Sequence, residues 1–116
     1  HATPWSIGDV VRADAPPAVV SRMFSEASAA AVAFGHIHTA FVLEAPDGLL
    51  VNCGSVGLPF DGDWRASFVM LERAGSRWTA AIHRIAYDRD AAISAAHESG
   101  NPESQRWTNR LRSASF

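Results

Sequence analysis

Ala31-Val32-Ala33-Phe34-Gly35-His36-Ile37-His38 is a short apolar run that ends at a glycine and then sets two histidines one residue apart. The run reads as a buried strand. Upstream, Pro16 and Pro17 open a helical window for which Asp14 is the expected N-cap. Val19, Val20, Met23, Phe24 and Ala27 fall at helical spacing and predict a helix over about 17–29. A helix that leads straight into a buried strand is an α/β arrangement. Downstream, Phe41-Val42-Leu43-Glu44 and Leu49-Leu50-Val51-Asn52 flank Pro46-Asp47-Gly48, a strong hairpin signal. Gly54, Gly57, Pro59 and Gly62 mark a long irregular loop. Two further strands are expected over 66–73 and 78–87, then a helix capped by Asp88 and stopped by Gly100, then a last helix after Asn101-Pro102 that carries Trp107 and Leu111. The expected order is helix, strand, antiparallel meander and two helices.

The histidine pair carries the clearest chemistry. On an extended backbone, residues i and i+2 project to the same side, so the imidazoles of His36 and His38 would converge. Neutral imidazole is a common ligand for Zn, Mn, Fe and Ni. Gly35 is expected to free the backbone to turn there, and sites in open α/β sheets form beyond the carboxyl ends of strands. Spacing alone fits two partly exposed histidines at a strand end better, because a metal site needs three or four protein ligands and this pair supplies two. A second motif, Asn52-Cys53-Gly54-Ser55-Val56-Gly57, follows a strand. Its glycines allow either backbone N–H groups cradling a phosphate or close packing against the His36–His38 loop. It lacks the Gly-Lys-Ser/Thr of a nucleotide-binding loop and the Gly-x-Ser-x-Gly of a serine nucleophile. Cys53 reads as a packed thiol without a neighbouring cation to activate it. His83 and His97 read as structural, the latter placed by a helix C-terminus. Trp5, Trp64, Trp78 and Trp107 read as packing residues, and 60–65, with Asp61, Asp63 and Arg65, as a loop at a pocket mouth.

Composition narrows the classes. The 116 residues carry 10 basic and 12 acidic side chains, a net charge of −2, which leaves no excess of basic charge for a nucleic-acid surface. No apolar run approaches the roughly 18 residues of a membrane span, and the first residues have neither the basic start nor the apolar stretch of a signal peptide. One cysteine excludes an intramolecular disulfide and any multi-cysteine metal cluster. A cytoplasmic location is the resulting expectation. All the basic residues are Arg, which reads as the coding bias of a GC-rich genome. The chain starts at His1, an opening expected of a processed protein or of a piece of a longer one.

Taken in order, the motifs resemble the C-terminal half of a calcineurin-like metallophosphoesterase of the small bacterial and archaeal phosphodiesterase-like branch. His1-Ala2-Thr3-Pro4 is similar to that family's His-Gly-Ser-Pro, and Gly35-His36-Ile37-His38-Thr39-Ala40 to its Gly-His-Thr-His-x-Pro. Asn52-Cys53-Gly54-Ser55-Val56-Gly57 is similar to its Asn-Pro-Gly-Ser-Val-Gly. Asp61 to Ser67 and His83 to Asp88 also match. Cys53 and Ala40 stand where the family usually has proline. The resemblance implies the C-terminal portion of a four-layer α-β-β-α sandwich, with residues 1–116 forming part of one domain whose N-terminal half is absent. It implies two divalent metal ions (Mn, Fe, Zn or Ni), with His1 and His36 on one and His38 on the other. Asp-x-His, Gly-Asp-x-x-Asp and Gly-Asn-His, the family's remaining ligand motifs, do not occur here and are expected upstream.

The function implied is hydrolysis of a phosphodiester or phosphomonoester by a water activated between two ions. The implied partners are a phosphate-ester substrate and the N-terminal half of the same domain. A membrane is not among them, nucleic acid is not indicated beyond a nucleotide substrate, and a homo-oligomer is left open. A competing reading is a binding or regulatory module that kept this scaffold and lost catalysis. A third is a complete small domain with a mononuclear histidine site.

Overall fold

A computed structural model describes all 116 residues, His1–Phe116. Its elements are α1 (Pro17–Ala27), β1 (Ala31–Phe34), β2 (Ala40–Ala45), β3 (Gly48–Cys53), β4 (Ala66–Ala74), β5 (Arg77–Ile85), α2 (Arg89–Glu98) and α3 (Ser104–Ser113). No helix is long and apolar enough to cross a membrane.

Helix α1 begins at its prolines as expected, but its N-cap is Pro16 and no side chain caps it, so Asp14 has no such role. It stops at Ala27 because Ser28 turns left-handed (φ 51°) and its N–H returns to the carbonyls of Phe24 and Ser25. Its buried residues Val20, Met23 and Phe24 keep the i, i+3, i+4 spacing. They join Val11, Phe34, Phe41 and Leu50 in the main core. Each large apolar side chain removed from water there contributes about 1.5–3 kcal/mol.

The sheet order departs from a simple meander. Strands β1, β3 and β2 form one sheet in that order, with β1 parallel and β2 antiparallel to β3. Strands β4 and β5 form a separate antiparallel hairpin. Leu49, Leu50, Val51 and Asn52 of β3 are all buried, because a neighbour on each side and packing on each face make β3 the central strand. Gly48 admits β1 beside it. Its φ is +149°, and a Cβ there would lie 2.1 Å from the Ala30 carbonyl oxygen, which accepts the Leu49 N–H at 2.9 Å.

Within β5, Trp78, Ala80 and Arg84 are half-buried while Thr79, Ala81, His83 and Ile85 are exposed. Across the register, Ala66 faces Ile85, Phe68 faces His83 and Met70 faces Ala81. Phe68, Met70 and Ile85 are exposed, so this outer face is apolar and open. Asp88 caps α2 by accepting the Ala91 N–H at 2.9 Å. Helices α2 and α3 pack together, and His97 reaches the buried Thr108 hydroxyl at 3.4 Å.

Candidate metal centre

Strand β1 ends at Phe34, and residues 35–39 are irregular. The two histidines are therefore not on extended backbone as the spacing predicts. His36 has φ 94° and His38 has φ 57°. Left-handed backbone costs a residue with a Cβ about 1–2 kcal/mol. Such conformations persist only where the surroundings over-determine them, and they cluster at functional sites. Gly35 has no such φ, and a Cβ there would make ordinary contact with the His1 ring at 3.8 Å. The turn comes from the histidines rather than from the glycine.

His1 reaches the same place. Ala2 is buried and left-handed (φ 58°). The Thr3 N–H donates to the Ser6 carbonyl, and the Ser6 N–H to Thr3 Oγ1, each at 3.0 Å. This folded segment sets the His1 ring edge-on to that of His36, with centroids 5.1 Å apart and planes at 86°. His1 Nε2 and His36 Nδ1 stand 3.2 Å apart.

His38 is held by another loop. Its Nδ1 lies 2.7 Å from the Leu58 carbonyl oxygen. A carbonyl only accepts, so Nδ1 carries the proton and Nε2 presents a lone pair. Phe60 stacks on the ring (4.9 Å, 21°), and its N–H donates to the His38 carbonyl at 2.9 Å. Leu58 is placed in turn by its N–H, which donates to Ser55 Oγ at 3.0 Å, and the Ser55 carbonyl accepts the Ser67 N–H at 3.0 Å.

Two side chains from stretches the sequence already marked, the Asn52–Gly57 motif and the 60–65 loop, brace the site. Asn52 is fully buried; its Nδ2 donates to the Gly35 carbonyl at 3.1 Å and its Oδ1 accepts the Gly54 N–H at 3.0 Å. Asp61 accepts the Ala40 N–H at 3.0 Å and pairs with Arg84 across the loop. Burial pushes the Asp61 carboxyl up, but hydrogen bonds from Arg84 and Ala40 outweigh it and hold the group below the usual carboxylate range. The Asn52–Ser55 motif thus braces the histidine loops. Gly54 (φ +71°) is needed there, because a Cβ would fall 2.9 Å from Ser67 Oγ.

The other candidates lie elsewhere. His83 stacks on Phe68 on the outer face of the hairpin (4.9 Å, 14°). Burial raises the Cys53 thiol above its ordinary value, the direction of a packed thiol rather than an activated one. Trp5 packs against the main core and under Arg22, whose guanidinium lies 4.0 Å from the ring centre.

These residues fit part of a metal site. Two nitrogens on one tetrahedral ion at about 2.0–2.1 Å stand about 3.3 Å apart, close to the His1–His36 separation. The His38 tautomer, fixed by a backbone carbonyl behind the ring, is the one a ligand requires. No group of three or more His, Cys, Asp or Glu side chains in the chain converges to hold an ion.

No protein-family model and no curated protein matches the chain. Among solved structures, the chain is similar to a metallophosphoesterase from Sphaerobacter thermophilus, with a TM-score of 0.75 and 22% identity over 98% of this chain. The two share a fold. The chain spans about half of that structure, 53% of its length.

Proposed function

We propose that the chain is the histidine-bearing, C-terminal part of a dinuclear metal-dependent phosphoesterase domain. His1 and His36 hold one divalent cation (Mn, Fe, Zn or Ni) and His38 Nε2 binds the second. The observation that carries this reading is the meeting of the His1 and His36 ring nitrogens at 3.2 Å from positions 35 residues apart. The left-handed backbone at His36 and His38 and the fold shared with a metallophosphoesterase support it. When bound, the cations supply charge neutralisation at the phosphoryl group and activation of a water.

The remaining ligands and the rest of a four-layer sandwich come from further chain packed on this one. The open Phe68–Met70–Ile85 face supports that, as does a radius of gyration of 16.0 Å where a compact chain of this length has about 13 Å. Residues 1–116 supplied with Mn are expected to leave an aryl phosphodiester intact, whereas the whole domain hydrolyses it. Turnover by the isolated residues, or none by the metal-loaded whole domain, would contradict the proposal.

A further inference from the structure

The loop that holds His38 is itself fixed at three points. The Leu58 N–H donates to Ser55 Oγ, the Asp61 carboxylate accepts the Ala40 N–H, and the Gly62 N–H donates to the Ala114 carbonyl, each at 3.0 Å. Pro59 between them is fully buried, and its ring leaves the backbone little freedom there. Ala114 is the buried, left-handed cap of α3 (φ 49°), so the third anchor ties the loop to the end of that helix. Phe60 stands in the middle of this loop and grips His38 twice. Its N–H donates to the His38 carbonyl at 2.9 Å, where the histidine backbone is left-handed, and its ring stacks on the imidazole at 4.9 Å and 21°. The first grip is open to any residue with an N–H; the second needs an aromatic face. His1 and His36 are set by other contacts, the Thr3–Ser6 turn and the edge-to-face meeting of their own rings.

We infer that Phe60 is a positioning residue for the second cation alone: its ring fixes the orientation of the His38 imidazole, and so the place of the Nε2 lone pair. The inference rests on the reading of His38 as a metal ligand. An unrestrained imidazole turns about two side-chain bonds, and an ion that binds it must stop that motion. The Leu58 carbonyl selects the tautomer, but a single hydrogen bond leaves the ring free to tilt about it. The stacked Phe60 ring removes the tilt before an ion arrives, which lowers the ordering cost of binding. Contacts behind a metal ligand are worth about 10–100-fold in ion affinity. Because Phe60 grips His38 and the other two histidines are held elsewhere, the two ions respond differently to its loss. Helix α3 enters the centre by the same route, through Ala114, Gly62 and Phe60.

Calorimetric titration of the whole protein with Mn tests this. Phe60→Ala is expected to weaken one of the two Mn sites about tenfold and to leave the other at its wild-type affinity. Phe60→Leu, which keeps apolar volume in the loop but offers no ring face, is expected to do the same, and Phe60→Tyr to keep wild-type binding. In a His36→Ala background, Phe60→Ala should still weaken the ion that remains. In a His38→Ala background it should have no effect, because the interaction it removes is already gone. Wild-type affinity at both sites in Phe60→Ala and Phe60→Leu, an equal loss at both sites, or an effect that survives His38→Ala would overturn the positioning role and leave the phosphoesterase reading standing. No Mn binding by the wild-type whole protein would overturn both.

Discussion

Asn52 joins the two sides of the candidate site. Its buried amide satisfies the half-buried Gly35 carbonyl just before the histidine pair and the half-buried Gly54 N–H just after β3. Replacing it with leucine leaves both backbone groups unpaired, and a buried unsatisfied group costs about 1–3 kcal/mol. Asn52→Leu is therefore expected to lose about 2–4 kcal/mol in urea unfolding and to weaken divalent-ion binding, although Asn52 touches no ion itself. Wild-type stability in that variant would mean the bridge carries no weight. The spacing of His36 and His38 marks them as a pair in the sequence, but their separate settings, His36 against His1 and His38 against Leu58 and Phe60, are not legible there. Left-handed φ at a histidine is a property imposed by the Asn52 and Leu58 contacts, which come from 17 and 20 residues away. His1 is less legible still. Only the turn through Thr3 and Ser6 brings it to His36, and nothing local in the sequence fixes that approach.

Elements were more readable than their arrangement. The spacing of Val20, Met23 and Phe24, the Pro-Asp-Gly turn and the Asp88 cap each depend on neighbours in the chain, and each element formed close to where those signals put it. The parallel pairing of β1 with β3 is non-local. Its trace in the sequence is the unbroken apolar run at 49–51, which marks a central strand without naming its neighbours. Gly48 records the same contact. Gly48→Ala would drive a methyl group into the Ala30 carbonyl and is expected to cost at least about 3 kcal/mol by separating β1 from β3; a loss below about 1 kcal/mol in urea unfolding would contradict that role.

The Asp61–Arg84 pair ties the loop after β3 to β5 and gives this junction an acid sensitivity. The Asp61 carboxyl has an ordinary value of 3.8 and is depressed in the fold. Its ionised form therefore stabilises the fold fully above that value, and the contribution is lost as the pH falls through the depressed one. Asp63, gripped by Arg65, is lowered to about 2 and adds to the same trend. Asp61→Asn is expected to be less stable near neutrality and to lose less on acidification below about pH 4, measured by circular dichroism across the acid range. An acid profile parallel to wild type would remove Asp61 as its source.

At the scale of the molecule, a three-stranded sheet lies under α1 beside a separate β4–β5 hairpin, and His36 and His38 lie on the irregular chain between β1 and β2 with His1 against His36. The chain extends 47 Å by 28 Å by 20 Å and leaves one face of the hairpin apolar and open. That shape suits a half-domain, and the proposed dinuclear centre needs what such a partner half would add. The most direct test is the divalent-metal content of the whole protein, by elemental analysis, in wild type and in His36→Ala. About two ions per chain are predicted for the wild type and one fewer for the variant; the same content in both would contradict the assignment of His36 to the metal centre.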